Sequence, residues 1–280
     1  MISGYLFSVK ADIGRDIWRR FVRLYVPAYI MIIVTMLCGR LHADNLEEII
    51  KEFIWPTHFW FVGAIFVYSI VLYVLIQKFK IEDRRAFTIF GLTLLLVDII
   101  LYVFCIPDKT SWVVEDAYIS IVPFRSIYSI FAFVLGYYLR KNRNRIRLKI
   151  SFRLIVFLAA AFFIVFYGFK WLLNKGVVPM TMQIMSQPLT ILSALFIFLS
   201  FAMLNLNQKL SGTKMERIIN GLSRLSRESY LVQFLIIAGI AAWHIAFPFN
   251  LILCVVLVMI AAMLLHVVDG QIVKMILREQ

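Results

Sequence analysis

Three arginines near the start of the chain could bind phosphate. They stand in the segment RRFVRLY from Arg19 to Tyr25, at the head of an apolar run and shortly before Pro27. A guanidinium group has a fixed positive charge and a fork of N–H donors, which suit the paired oxygens of phosphate or carboxylate. We therefore predict that Arg19, Arg20 and Arg23 hold an anionic ligand at a helix mouth. The alternative is an anchor that contacts lipid phosphates.

Two further ionisable residues, Asp98 and Arg125, stand deep inside apolar runs. At a helical rise of about 1.5 Å per residue, both would lie at a similar depth of a hydrocarbon core about 30 Å thick. A charge in hydrocarbon is costly and marks a functional site by default. We predict that Asp98 and Arg125 line a substrate path; the alternative is a structural ion pair between antiparallel neighbouring helices.

His58 is a weak candidate for a catalytic base. An imidazole can move a proton near neutral pH, and His58 precedes Trp60 at the predicted outer end of an apolar run. The alternative is a hydrogen-bonded anchor at the membrane interface. His42, His244 and His266 are weaker candidates. The three cysteines show no paired spacing, so we expect neither a disulfide framework nor a metal site.

The composition is that of a membrane protein. Hydrophobic residues make up 62% of the chain and charged residues 16%, against about 25% charged in soluble domains. Apolar runs predict an all-α, polytopic bundle of eight spanning helices and an N-terminal partial helix. The predicted spans are 24–39, 57–77, 86–106, 118–139, 152–173, 187–205, 229–248 and 250–268. The residues from Asn45 to Ile54 have helical apolar spacing and a capping pair, which predicts a surface helix.

The basic residues predict the orientation in the membrane. Most of the 29 lysines and arginines fall in alternate connections, and such residues are enriched on the cytoplasmic side. We therefore predict that both termini are cytoplasmic, in the bacterial plasma (inner) membrane. Membrane topology thus accounts for the net charge of +13, and we expect no nucleic acid partner.

Four segments in order resemble the acyltransferase 3 family of polytopic membrane proteins. One is the Ser-Gly-aromatic-Leu start followed by a charged linker and the Arg-Arg-x-x-Arg-Leu-Tyr cluster. The others are a Trp-aromatic helix start, a Phe-x-x-Gly helix end and a late Ser-x-x-x-Tyr-Leu segment. They lie at residues 3–25, 56–62, 131–140 and 226–234. Gln233 stands where the family more often has His, and Asp269 matches an acidic residue of the family's last helix.

The resemblance implies a ten-helix core, of which this sequence would be one domain, residues 1–280, lacking the first helix and most of the second. It implies that Arg19, Arg20 and Arg23 hold acetyl-CoA or a similar acyl-CoA as donor substrate, with no bound cofactor. It adds Trp60 and Gln233 to the substrate path. The family's first-helix histidine has no counterpart in this sequence, so the resemblance assigns no catalytic residue.

We therefore expect a membrane acyltransferase that moves an acyl group, acetyl in the first instance, from a cytoplasmic thioester to a hydroxyl of cell-surface or exported carbohydrate. Two alternatives share the same frame. One is a transporter or flippase of lipid-linked sugars, which needs intramembrane charges but no acyl donor. The other is a non-catalytic relative of the acyltransferase.

Overall fold

All regular structure in the described part of the chain is helical, which confirms the predicted all-α class. The computed structural model describes residues 1–9, 12–40, 45–56, 59–105, 122–142, 151–203, 210–241 and 243–278. The α-helices are α1 (Ile2–Tyr5), α2 (Ile13–Leu37), α3 (Leu46–Ile54), α4 (Trp60–Phe79), α5 (Arg84–Ile100), α6 (Val122–Lys141), α7 (Phe152–Asn174), α8 (Ser186–Met203), α9 (Lys214–Arg224), α10 (Ser226–Ala241) and α11 (Phe249–Arg278). A π-helical turn, Leu101–Cys105, extends α5, and a 3-10 helix, Met180–Met185, precedes α8.

Six helical segments of the described chain are long and apolar enough to cross a membrane, which supports a multi-pass integral membrane protein. They are Ile13–Leu37, Trp60–Phe79, Arg84–Phe104, Phe152–Asn174, Met180–Met203 and Phe249–Leu277. The spans predicted at 118–139 and 229–248 correspond to α6 and α10, which are not among the six. Helix α10 has 16 residues, fewer than the roughly 20 that a perpendicular span needs. The count of eight spans therefore stays a prediction.

The chain divides into two compact units. The first comprises Met1–Val9 and Tyr68–Lys209, and the second comprises Lys10–Val67 and Leu210–Gln280. Helix α4 runs through the boundary, so its first part belongs to the second unit and its remainder to the first. The expectation of one membrane domain over residues 1–280 stays a prediction.

In the first unit, two glycines let the N-terminal segment touch the backbone of α6. A Cβ atom on Gly4 would lie 1.8 Å from the carbonyl oxygen of Phe133, and one on Gly136 would lie 2.0 Å from that of Met1. No real Cβ approaches a carbonyl so closely, so any larger residue at either position would push the segments apart. Small residues are the usual means of such close approach between membrane helices.

Aromatic packing and one arginine complete this junction. Phe7 is 2% exposed, and its ring makes edge contacts with those of Tyr73, at a centroid distance of 5.0 Å, and Tyr137, at 6.1 Å. Arg140 at the end of α6 donates hydrogen bonds to the carbonyl oxygens of Tyr5, at 3.3 Å, and Phe7, at 2.8 Å. The predicted N-terminal partial helix is thus four residues long and firmly packed.

In the second unit, α2, α10 and α11 pack together around an apolar core. Helix α2 begins eleven residues before the predicted span, at Ile13, where Asp12 accepts a hydrogen bond from the Arg15 amide at 3.0 Å. This N-cap satisfies an amide that would otherwise lack a partner. The charged linker of the sequence is therefore largely the first three turns of a helix. The core comprises Tyr25, Ala28, Met31, Ile32, Phe59, Val62, Leu225, Leu231, Val232, Ala262 and Leu265.

Two short amphipathic helices, α3 and α9, belong to the second unit. The predicted cap of α3 is confirmed, because the Asn45 side chain accepts a hydrogen bond from the Glu48 amide at 2.9 Å. The ring of Phe53 packs on that of Tyr29 in α2 at a centroid distance of 5.1 Å. Helix α9 is capped by Thr213, whose hydroxyl accepts from the Glu216 amide at 3.2 Å.

Candidate functional site

The predicted donor-binding arginines lie on successive turns at the start of α2, and they differ in their surroundings. Arg20 forms an ion pair at 2.9 Å with Asp16, which is 4% exposed. Arg19 is half-buried and Arg23 is exposed. No described residue forms a hydrogen bond or ion pair with the guanidinium groups of Arg19 and Arg23. The structure thus leaves two of the three guanidinium groups open to a ligand and holds the third in place.

Arg227, at the start of α10, joins this part of α2 to α11. One guanidinium nitrogen, Nη1, donates to the carbonyl oxygen of Arg23 at 2.6 Å. The other, Nη2, donates to Asp269 Oδ2 at 2.5 Å and also to Glu228 Oε1. A single side chain therefore ties three helices together at the basic segment of α2.

Arg227, Glu228, Asp269 and the nearby His266 form one cluster of charged and polar side chains. The two carboxylates of this cluster are fully buried. Glu228 is 0% exposed and Asp269 is 1% exposed. Glu228 Oε2 and Asp269 Oδ1 find no hydrogen-bond donor among the described residues. Burying an ionised carboxylate is costly unless it is paired and hydrogen-bonded, so the Arg227 guanidinium offsets much of the cost. Two carboxylates against one guanidinium still leave one negative charge in excess.

His266 supplies the remaining polar contact. Its Nδ1 atom lies 2.9 Å from Glu228 Oε1, and its side chain is 46% exposed. When Nδ1 carries the ring proton, it donates a hydrogen bond to Glu228. The contact with Glu228 fixes the orientation of the His266 imidazole, whose remaining edge is partly exposed.

Glu228, His266 and Asp269 could also be considered as metal ligands. One potential ligand atom from each lies within 4.8 Å of the others. However, Arg227 Nη2 already contacts both carboxylates, and a divalent cation in the same place would be repelled by the guanidinium charge. The donor set therefore fits an ion network better than a metal centre, and the expectation of no metal stays a prediction.

The sequence contains two signals for this cluster. His266 and Asp269 are three residues apart on one helix, the spacing at which side chains share a face. The family-like segment 226–234 includes Arg227 and Glu228, and Asp269 stands at an acidic position of the family. Arg227, Glu228 and Asp269 were not predicted to be site residues, and His266 was predicted only as a minor catalytic candidate, because their meeting depends on how α10 packs on α11.

The predicted substrate-path residues fall in different units. Asp98 on α5 is 6% exposed, and its Oδ1 atom has no hydrogen-bond partner in the described part of the chain. Arg125 belongs to α6, but its side chain lies outside the described residues, so pairing with Asp98 stays a prediction. Both belong to the first unit, whereas Trp60 on α4 and Gln233 on α10 are half-buried residues of the second.

The weak catalytic candidate His58 lies outside the described residues, so its role stays a prediction. Trp60, two positions later, begins α4 and makes an edge contact with Phe61 at 6.1 Å between ring centroids. The described site thus consists of the basic start of α2 and the buried cluster on α10 and α11.

Comparison with known proteins agrees with the resemblance carried by the motifs. No curated protein and no solved structure matches the chain. The acyltransferase domain of one family matches residues 1–268, which is nearly the whole sequence. The chain therefore belongs to the acyltransferase 3 family.

Proposed function

We propose that this protein is a membrane O-acyltransferase. It takes an acyl group, for which we propose acetyl, from a cytoplasmic acyl-CoA. It transfers this group to a hydroxyl of cell-surface or exported carbohydrate. The family match over residues 1–268 carries the proposal, because the family consists of acyltransferases. The structure supports it with a basic helix start held next to a buried ion cluster.

The donor would bind at the start of α2. Coenzyme A presents several phosphate charges, and the guanidinium groups of Arg19 and Arg23 have no partner among the described residues. Hydrogen bonds between charged groups contribute roughly 1.5–3 kcal/mol each, so two arginines supply useful affinity. Arg20 is held by Asp16 and adds positive charge. Arg227 fixes the backbone at Arg23, which keeps this turn of α2 in place.

The transfer itself exchanges one bond for another. The acceptor oxygen forms a bond to the acyl carbon, the carbon–sulfur bond of the thioester breaks, and the thiolate takes up the proton that the hydroxyl loses. A base must carry that proton, and His58 remains a weak candidate for it. Within the first unit, Asp98 and Arg125 are the candidates for contact with the substrate. Within the second unit, Trp60 and Gln233 are the candidates for such contact.

The proposal includes an orientation. Eight spans place both termini in the cytoplasm of a bacterial cell, with the membrane being the plasma membrane. The basic start of α2 then faces the cytoplasmic acyl-CoA pool, and Lys/Arg enrichment in the cytoplasmic connections supports this. Reporter fusions at the two termini would locate them, and an outward N-terminal segment would contradict the proposed donor site.

Labelled acetate provides the test of function. Cells with and without the gene are fed labelled acetate, and the O-acetyl label on purified surface and secreted glycans is compared. We expect the label on one glycan to fall to background without the gene and to return on complementation. Unchanged acetylation of every glycan would contradict the enzyme. A glycan that disappears from the surface while its intracellular precursor accumulates would indicate a transporter instead.

A further inference from the structure

Helix α9 carries an apolar face that no other described element covers. Its apolar residues recur at the spacing of one helix face and all are largely exposed. They are Met215 (53%), Ile218 (56%), Ile219 (42%) and Leu222 (49%). Exposing four large apolar side chains to water is unfavourable, at about 25 cal/mol per Å² of apolar surface. A helix of 11 residues is also too short to be stable in water unless its apolar face packs against another surface.

The other side of α9 is basic. Lys214, Arg217 and Arg224 are all exposed. The one acidic residue, Glu216, is used within the helix start, where it accepts a hydrogen bond from the Gly212 amide at 2.7 Å. A carboxylate there also suits the positive end of the helix dipole. The polar side of the helix therefore presents net positive charge.

Three observations make a lipid surface the best occupant of this face. Along the chain, α9 lies between the membrane segment Met180–Met203 and α10, so it cannot be far from the bilayer. Directly after it, Leu225 is buried in the core of the second unit, which fixes one end of the helix. Basic residues combined with an apolar face are typical of helices that lie in anionic headgroup regions.

We propose that α9 lies in the headgroup region of the bilayer and binds anionic phospholipid. Its four apolar residues enter the acyl-chain boundary, and its three basic residues contact lipid phosphates. Because Arg227 and Glu228 follow α9 within four residues, lipid binding also steadies the end of α10 that carries the buried cluster. The inference does not depend on the proposed acyl transfer.

Helix α3 provides a control within the same unit. It too exposes apolar residues, Leu46 (70%), Ile50 (49%) and Ile54 (69%). However, its polar side carries three glutamates and one lysine. Lys51 lies 2.7 Å from Glu47, and this hydrogen bond lowers the pKa of Glu47 below its usual value. Three glutamates against one lysine give the polar side of α3 a net negative charge, so anionic lipid should repel α3 rather than attract it.

The test uses the full chain in vesicles of phosphatidylcholine with or without phosphatidylglycerol. Cys38, Cys105 and Cys254 are replaced by Ser, and a polarity-sensitive fluorophore is attached through Ile218→Cys or, as control, Ile50→Cys. Lipids with a quencher at the top of the acyl chain report contact with the bilayer. We expect quenching at position 218 to increase with the phosphatidylglycerol fraction and quenching at position 50 to stay level or decrease.

Charge variants distinguish binding of α9 to anionic lipid from burial of its apolar face against a protein partner. The triple variant K214Q/R217Q/R224Q should lose the response at position 218 to phosphatidylglycerol, because each basic residue near an anionic surface contributes about a fivefold factor in binding. The matched variant K51Q on α3 should leave that response intact. Absence of quenching at position 218 in both vesicle types would overturn the proposal and indicate a protein partner. A response that survives in the triple variant would also overturn it.

Discussion

The two units of this protein join their helices in opposite ways. In the second unit, α2, α10 and α11 meet through a buried cluster of charged side chains centred on Arg227. In the first, the N-terminal segment meets α6 through Gly4 and Gly136, where the backbones touch. The polar junction depends on charge balance and should fail when a charge is removed. The glycine junction depends on space and should fail when volume is added.

Removing the guanidinium of Arg227 should have the largest effect. Arg227→Ala leaves Glu228 and Asp269 buried without their counter-ion, which typically costs about 3–5 kcal/mol. Thermal unfolding in detergent or lipid nanodiscs would measure the loss. Arg153→Ala, the same substitution at an exposed position of α7, is the control and should change little.

A compensating variant tests the cause of that loss. In R227A/E228Q/D269N the carboxylates are neutral, so most of the lost stability should return. If R227A unfolds at the temperature of R153A, the cluster does not hold the helices together. If the triple variant is as unstable as R227A, the loss comes from something other than buried charge.

Adding a methyl group at the glycine junction should have the next largest effect. Gly136→Ala places a Cβ 2.0 Å from the Met1 carbonyl oxygen, and overpacking of this kind costs about 1–3 kcal/mol. Gly168→Ala is the matched control, because nothing lies within 4 Å of its Cβ position and alanine favours a helix. Thermal unfolding should separate the two. Equal stability of both variants would mean that the N-terminal segment is not packed on α6.

Removing the His266 imidazole should have a smaller effect. His266→Ala loses one hydrogen bond to Glu228 from a side chain that is 46% exposed, and a typical hydrogen bond contributes about 1 kcal/mol. The same unfolding assay measures this loss. A loss as large as that of R227A would show that the buried carboxylates depend on His266 as much as on Arg227.

Neutralising Asp98 should have the smallest effect on stability. Asp98→Asn keeps the shape of the side chain and loses no described hydrogen bond at Oδ1, so unfolding should not be destabilised by more than about 1 kcal/mol. Under the proposed function, surface acetylation should nevertheless fall, because Asp98 lines the substrate path. Strong destabilisation would show instead that Asp98 belongs to a structural ion pair, with Arg125 as the predicted partner.

The sequence predicted the helices better than the site. Apolar runs located the six helical segments that could cross a membrane, because length and hydropathy decide membrane insertion. The start of α2 was missed because its first turns are charged and amphipathic. The α3 cap was predicted because Asn45 and Glu48 are local in sequence. The cluster could not be predicted in the same way. Arg227 and Glu228 are about 40 residues from their partners on α11, and only tertiary packing brings them together.

Donor binding tests the central claim most directly. Isothermal titration of the purified protein in nanodiscs would compare acetyl-CoA with S-acetyl-N-acetylcysteamine, a thioester without phosphates, for the unaltered chain and for R19E/R23E. We predict that acetyl-CoA binds the unaltered chain more tightly than the truncated thioester, and that R19E/R23E weakens acetyl-CoA binding at least about tenfold. Equal binding of the two thioesters, or no change in R19E/R23E, would contradict a phosphate-binding donor site on α2.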